Sequence, residues 1–209
     1  MWATNSAGWD FKGATLQCVV CRHAPQSENA TSDDPRDSIV ILMVTPQEIA
    51  RNDPDAFTLI KHLEKAGHTA VSGPHVRYTN LRVPAKNLLA APDKGAAIVE
   101  QCFDATATLV GALAVGLMRA TFSAALDFTK RDSRGGSVPI LNRQSVADLM
   151  MDVKMRTEAS RYLTWKACHC LENGPGEYQD RRELCLEAKI FCSDNAVKCV
   201  VDAIKAVGM

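Results

Sequence analysis

Several groups of residues in this chain have types and spacings that can do chemistry. Cys18-Val19-Val20-Cys21 has the spacing of a redox pair or half a zinc site. Its flanks are strand-like, and an offset of three along a strand sends the two thiols to opposite faces. The pair therefore reads as packed thiols. Cys168-His169-Cys170 falls in a helical stretch, where neighbours one and two apart point in different directions, so it makes a poor ligand set. Cys185, Cys192 and Cys199 recur every seven residues, as a stripe of small side chains in a helical core would. Gly111 and Gly116 lack the Lys-Ser/Thr that completes a phosphate loop and point instead to close helix packing. His62, His68 and His75 have no nucleophile motif near them and support no triad. No metal site is expected.

The segment Arg131-Asp132-Ser133-Arg134-Gly135-Gly136-Ser137 is more informative. Two arginines beside a glycine pair can bring guanidinium and backbone N–H groups to a phosphate. The plain alternative is an exposed helix–helix turn. Trp2-Ala3-Thr4-Asn5 reads, on its own, as a strand fragment with a buried Trp.

The whole chain limits what these groups can serve. It has 209 residues, 24 basic and 24 acidic, for a net charge of zero. Such a chain has no global basic field, so nucleic acid is not expected as a partner. With 46% hydrophobic and 23% charged residues it can bury a sizeable core, which excludes wholesale disorder. The longest apolar run, Ala105–Met118, falls short of the roughly 18 residues of a membrane span. No basic and apolar leader stands at the N-terminus, and eight cysteines then read as free thiols in a reducing compartment. The expected location is intracellular, in the cytoplasm, with the sequon at Asn29 unused.

Two hydrophobic periods divide the chain. Ala14–His23, Ser38–Thr45 and His75–Val83 are strand candidates. Between the first two, Ala24–Asp37 reads as an exposed connection. Thr45-Pro46-Gln47-Glu48 resembles a helix start that Asp53-Pro54 soon stops. From about Gly95 the period becomes helical. Helices are expected over Ala97–Arg131, Arg143–Glu172 and Asp180–Val207, the first roughly 50 Å long. Asn173-Gly174-Pro175-Gly176 ends the second. The fold class is α+β: residues 1–92 as part of a β-barrel-like middle domain, and residues 93–209 as three long helices of an antiparallel four-helix bundle. Both ends look cut.

These pieces together resemble the acyl-CoA dehydrogenase superfamily of flavoproteins. Trp2-x-Thr4-Asn5 resembles its WxTN segment, and Val83-Pro84-x-x-Asn87-Leu88-Leu89 its VPxxNxL exit from the β domain. Ser133–Gln144 resembles its RxxFGxPIxxxQ loop, with Pro139, Ile140 and Gln144 in register. Ser133 stands where the family has Arg, Arg134 is displaced by one, and Gly136-Ser137 replaces Phe-Gly. That variant resembles the nitroalkane oxidase branch. So do Trp2-x-x-Asn5-Ser6-x-Gly8-Trp9-Asp10, Ser72-Gly73-Pro74-His75, Leu109-Val110-Gly111-Ala112 and Lys205-Ala206-Val207-Gly208-Met209.

The resemblance implies FAD as cofactor, held by Trp2, Ala3 and Thr4. It also implies that Arg134 and Gln144, with Arg143 as a secondary candidate, reach the FAD of a neighbouring subunit. A homo-oligomer, dimer or tetramer, follows. Thr106 falls where the oxidase branch has a Ser near the catalytic carboxylate, and a hydroxyl there can orient that base. The alternative for Thr106 is a helical Thr bonding back to its own turn. The implied chemistry starts when a carboxylate removes an acidic α-proton of a small-molecule substrate. Dehydrogenases then pass a hydride from the β-carbon of an acyl-CoA to the flavin. Oxidases pass the electrons of a nitroalkane carbanion to flavin N5, release nitrite and reoxidise with oxygen. The base has no counterpart here; Asp104 and Asp148 do not match its motif. The chain therefore reads as a fragment lacking the N-terminal helical domain and the last part of the bundle. The rival readings are an acyl-CoA dehydrogenase proper and a truncated, non-catalytic helical interaction protein, with a zinc module behind them.

Overall fold

β-Branched and apolar residues at strand length form an antiparallel pair in the computed structural model, which describes residues 16–24, 34–67 and 73–208. Strand β1 (Gln17–Arg22) lies against β2 (Ile39–Val44), with Val20 opposite Ile41 and Cys21 opposite Val40. Strand β5 (Leu88–Ala90) adds to the other edge of β2, antiparallel and with a register shift between Ile41 and Leu42. Strands β3 (Phe57–Lys61) and β4 (His75–Tyr78) make a separate antiparallel pair. Val40, Ile41, Val44, Val76 and Ala90 are buried, and supply the core of this part.

Polar side chains fix the connections. Thr45 caps the short helix α1 (Pro46–Ala50), accepting from the Glu48 N–H and donating to the Glu48 carboxylate, with Pro46 in the first turn. The Asn52 amide donates to the Arg82 carbonyl at 3.0 Å and accepts from the Arg82 N–H at 2.7 Å, standing in for a strand partner. Asn87 donates to the Met43 carbonyl at 3.1 Å, pinning the Val83–Leu89 segment to β2. The Tyr78 hydroxyl donates to Gln17, and its burial pushes its pKa up to about 12.

The chain divides into two compact units, residues 1–100 and 101–209, and the division falls inside a helix. That helix, α2 (Pro92–Arg131), starts five residues before the expected Ala97, with Pro92 in its first turn. Helices α3 (Gln144–Asn173) and α4 (Tyr178–Ala206) complete the helical unit. Gly174 caps α3, donating to the Cys170 carbonyl at 2.8 Å, and Gly176 has a φ of 81° in the turn that follows.

The three helices meet along small residues. Ala114, Val115 and Met118 of α2 pack on Val153 of α3 and on Cys192, Ala196 and Cys199 of α4. Ala125, Met150, Ala203 and Ala206 form a second cluster nearer the end of α2. A Cβ at Gly111 would lie 3.0 Å from the Thr164 hydroxyl oxygen, so this glycine allows close approach of α2 and α3. The α+β class stands, with a mostly helical chain and antiparallel strands.

Three expectations need correction. β4 ends at Tyr78 instead of Val83, because Asn80 takes a φ of 52°, which breaks a strand. β3 and β5 were not anticipated. Finally, α2 is long and apolar enough to cross a membrane by length and composition alone. An uninterrupted apolar run is too strict a criterion, since Thr106 and Thr108 interrupt the run without making the helix polar. The core helix of a bundle satisfies the same measure, and one face of α2 is packed in that way.

Candidate functional site

The connection between α2 and α3 is built on Asp132. Its N–H donates to Phe128 at 2.9 Å and ends α2; its carbonyl accepts from Ile140 at 2.8 Å and closes the loop. Its carboxylate accepts the Arg134 backbone N–H at 3.0 Å, an Asx turn that lets Arg134 adopt a φ of 50° without being glycine. Gly135 follows with a φ of 76°, which its missing Cβ allows.

The Arg134 side chain turns back on the protein. Its Nε lies 2.8 Å from the Asp132 carboxylate, Nη2 donates to the Val207 carbonyl, and the guanidinium sits 5.7 Å from the centre of the Phe128 ring. Val207 lies just past the end of α4, where unpaired carbonyls favour a cation. Arg134 also lines an apolar groove of about 420 Å3 with Phe128, Val200, Ile204 and Val207.

The other two loop residues are more open. Arg143 stands immediately before α3 with extended backbone, is exposed, and its side chain has no hydrogen bond or ion pair among the described residues. Gln144, the first residue of α3, is exposed and donates to Asp148 at 2.7 Å. Arg134, ranked above Arg143 in sequence, is thus the tethered cation, and Arg143 is the free one.

Thr106 is exposed on α2, and its hydroxyl donates to the carbonyls of Cys102 and Phe103 at 2.9 and 3.1 Å. It bonds back to its own turn, so orienting a carboxylate would require the O–H to rotate outward. Thr106 and Arg131 are 25 positions apart on α2, a rise of roughly 38 Å, so Thr106 and the loop do not share one reacting centre. Asp104 is buried and pairs with Arg182 at 3.0 Å, which leaves it unsuited to accepting a substrate proton.

Trp2, Ala3 and Thr4 lie outside the described residues, as do Asn29, His68 and Ser72. Among the described residues no cluster of His, Cys, Asp and Glu can hold a metal ion. The packed thiols expected at Cys18 and Cys21 need correction: Cys18 is exposed and Cys21 only half-buried, because an offset of three along β1 puts them on opposite faces of a sheet that is not covered on both sides. Sequence reasoning missed Asp132. The signal was there: an Asp two residues before an Arg-Gly-Gly run is an Asx-turn pattern.

Residues 93–209 match the family model of the acyl-CoA dehydrogenase C-terminal domain. The chain belongs to the acyl-CoA dehydrogenase family. Members of this family are flavin-dependent oxidoreductases. It is 56% identical to nitroalkane oxidase of Podospora anserina over all of this chain and 48% of that protein. It is 47% identical to nitroalkane oxidase of Fusarium oxysporum, again over all of this chain and 48% of that one. The solved structure of the Podospora anserina enzyme superposes with a TM-score of 0.92 at 55% identity, covering 100% of this chain and 49% of the other. The chain thus spans about half the length of the curated relatives it matches. The loop suits the family's cofactor type: a free guanidinium, a tethered one with N–H groups to spare, and an exposed amide are a donor set for a phosphate-bearing ligand.

Proposed function

We propose that this chain forms part of an FAD-dependent nitroalkane oxidase, acting on a nitroalkane by removal of the proton beside the nitro group. The supporting observation is the match to nitroalkane oxidases over the entire chain at 56% and 47% identity. The Arg134-Gly135-Gly136-Ser137 form of the loop, with its left-handed Arg134 and Gly135, goes with that branch reading. FAD, when bound, supplies the electron acceptor and passes the electrons to oxygen.

The chain's own residues bind and orient. Arg143 offers its guanidinium to the diphosphate, and Arg134 offers the N–H groups left over from its tether. Gln144 presents an amide that can both donate and accept. Thr106 lies on another part of α2, as expected if it faces one cofactor while the loop serves the cofactor of a neighbouring copy. We therefore read the working form as a homo-oligomer. No residue of this chain is assigned the proton abstraction.

An absorbance spectrum of the purified, desalted chain tests this reading. Oxidised-flavin bands near one flavin per subunit are the expected result, and bleaching of those bands with nitrite release on adding a nitronate, the already deprotonated nitroalkane that needs no base from this chain, separates the oxidase from an acyl-CoA dehydrogenase. A colourless chain that takes up no added FAD would overturn the proposal that these residues hold the cofactor.

A further inference from the structure

We propose that Asp132 is the positioning residue of the cofactor loop: it aims the Arg134 guanidinium so that one edge is locked to the protein and the other is left for an anionic ligand. The inference rests on the flavin reading above for the identity of that ligand, but its geometry stands by itself. Both carboxylate oxygens of Asp132 hold the same residue. Oδ1 accepts the Arg134 backbone N–H at 3.0 Å, and Oδ2 lies 2.8 Å from the Arg134 Nε. The first contact sets the backbone at a φ of 50°; the second fixes the direction of the side chain.

A guanidinium has five N–H donors in a rigid plane. Nε and Nη2 share the edge turned towards the protein, where Asp132 and the Val207 carbonyl take one hydrogen each. The remaining edge carries the Nη1 hydrogens and the second hydrogen of Nη2, and Nη1 has no partner among the described residues. The Arg134 side chain as a whole is 45% exposed, and the proposed ligand takes the edge that Asp132 and Val207 leave unused. Two parallel N–H groups of this kind match a phosphate or carboxylate. Gly208 makes the locked edge possible: a Cβ there would lie 2.7 Å from Nη2. A flexible Arg would lose rotamer freedom on engaging the anion, and Asp132 removes most of that cost beforehand.

The test is a double-mutant cycle on the 209-residue chain, read by FAD titration. Asp132→Asn keeps the Oδ1 acceptor and loses the anchor for Nε. It is expected to weaken FAD binding about tenfold when Arg134 is present, and to have no further effect in Arg134→Gln. A residue with a merely structural role would cost the same in both backgrounds, and that additive result, or no loss at all in the single variant, overturns the proposal. If the unaltered chain binds no FAD, the proposed function fails, and the positioning is decided by amide exchange. The Gly208 N–H, which bonds to Lys205 at 3.0 Å in the last turn of α4, is then expected to exchange faster in Asp132→Asn and in Arg134→Gln. Unchanged exchange in both variants would overturn it.

Discussion

Single residues carry the tightest geometry in the molecule. Gly95 lies in the first turns of α2, where an added Cβ would sit 2.1 Å from the Ile39 carbonyl oxygen and 2.7 Å from its carbon. Backbone cannot yield as a flexible side chain can. Gly95→Ala is therefore expected to destabilise the chain by roughly 1–3 kcal/mol despite its better helix propensity, and a lowered midpoint in urea melts checks this. Much at this scale was legible in the sequence, with Thr45 as a cap and Gly174 at a helix stop, whereas Cys18, read as a packed thiol, is exposed. The roles of Arg134 and Asp132 were not. A guanidinium has similar chemistry whether it faces a ligand or a helix end, and only the fold puts Val207 beside it.

At the scale of elements, the helices were readable because a period of 3.6 persists over many turns, and Pro and Gly mark the ends. The strands were less so. β3 is mostly exposed, so Phe57–Lys61 carries no alternation to betray it, and β5 is three residues whose pairing to β2 depends on Asn87 reaching Met43. Helix α4 is held to α3 by a charge pair as well as by its small stripe: Arg156 lies 2.6 Å from Asp202, whose side chain is 15% exposed. The hydrogen bond from Arg156 holds the Asp202 carboxyl below its usual pKa, with Lys205 adding to the effect. A carboxylate whose pKa is lowered by folding stabilises the fold above its unfolded value, about 3.9 for Asp. That contribution disappears as pH falls through the folded value. Thermal melts are expected to show Asp202→Asn less stable than the unaltered chain at pH 7, with the gap closing in the acid range below about pH 4.

At the scale of the whole molecule, the helices leave long apolar side chains in the open. Leu109, Leu113 and Leu117 are exposed along α2, and Ile190, Val197, Val201 and Ile204 along α4. Met151, Met155, Tyr162 and Trp165 form a further exposed row on α3, with Tyr162 and Trp165 stacked edge to face at 5.7 Å. Apolar surface of this extent drives association. Light scattering at micromolar concentration is expected to show dimers or larger species, and a monodisperse monomer would contradict the homo-oligomer reading.

The stripe of cysteines on α4 has a consequence of another kind. Cys185, Cys192 and Cys199 are sealed where the helices meet, while Cys18, Cys102 and Cys168 face solvent. Burial raises the pKa of Cys185 and Cys199, so their sulfurs stay protonated and slow to react as long as the bundle is shut. A thiol reagent meets one set of sulfurs immediately and the other only when the helices part. The protein thus carries an internal clock for its own opening, wound into the same small residues that let the helices close.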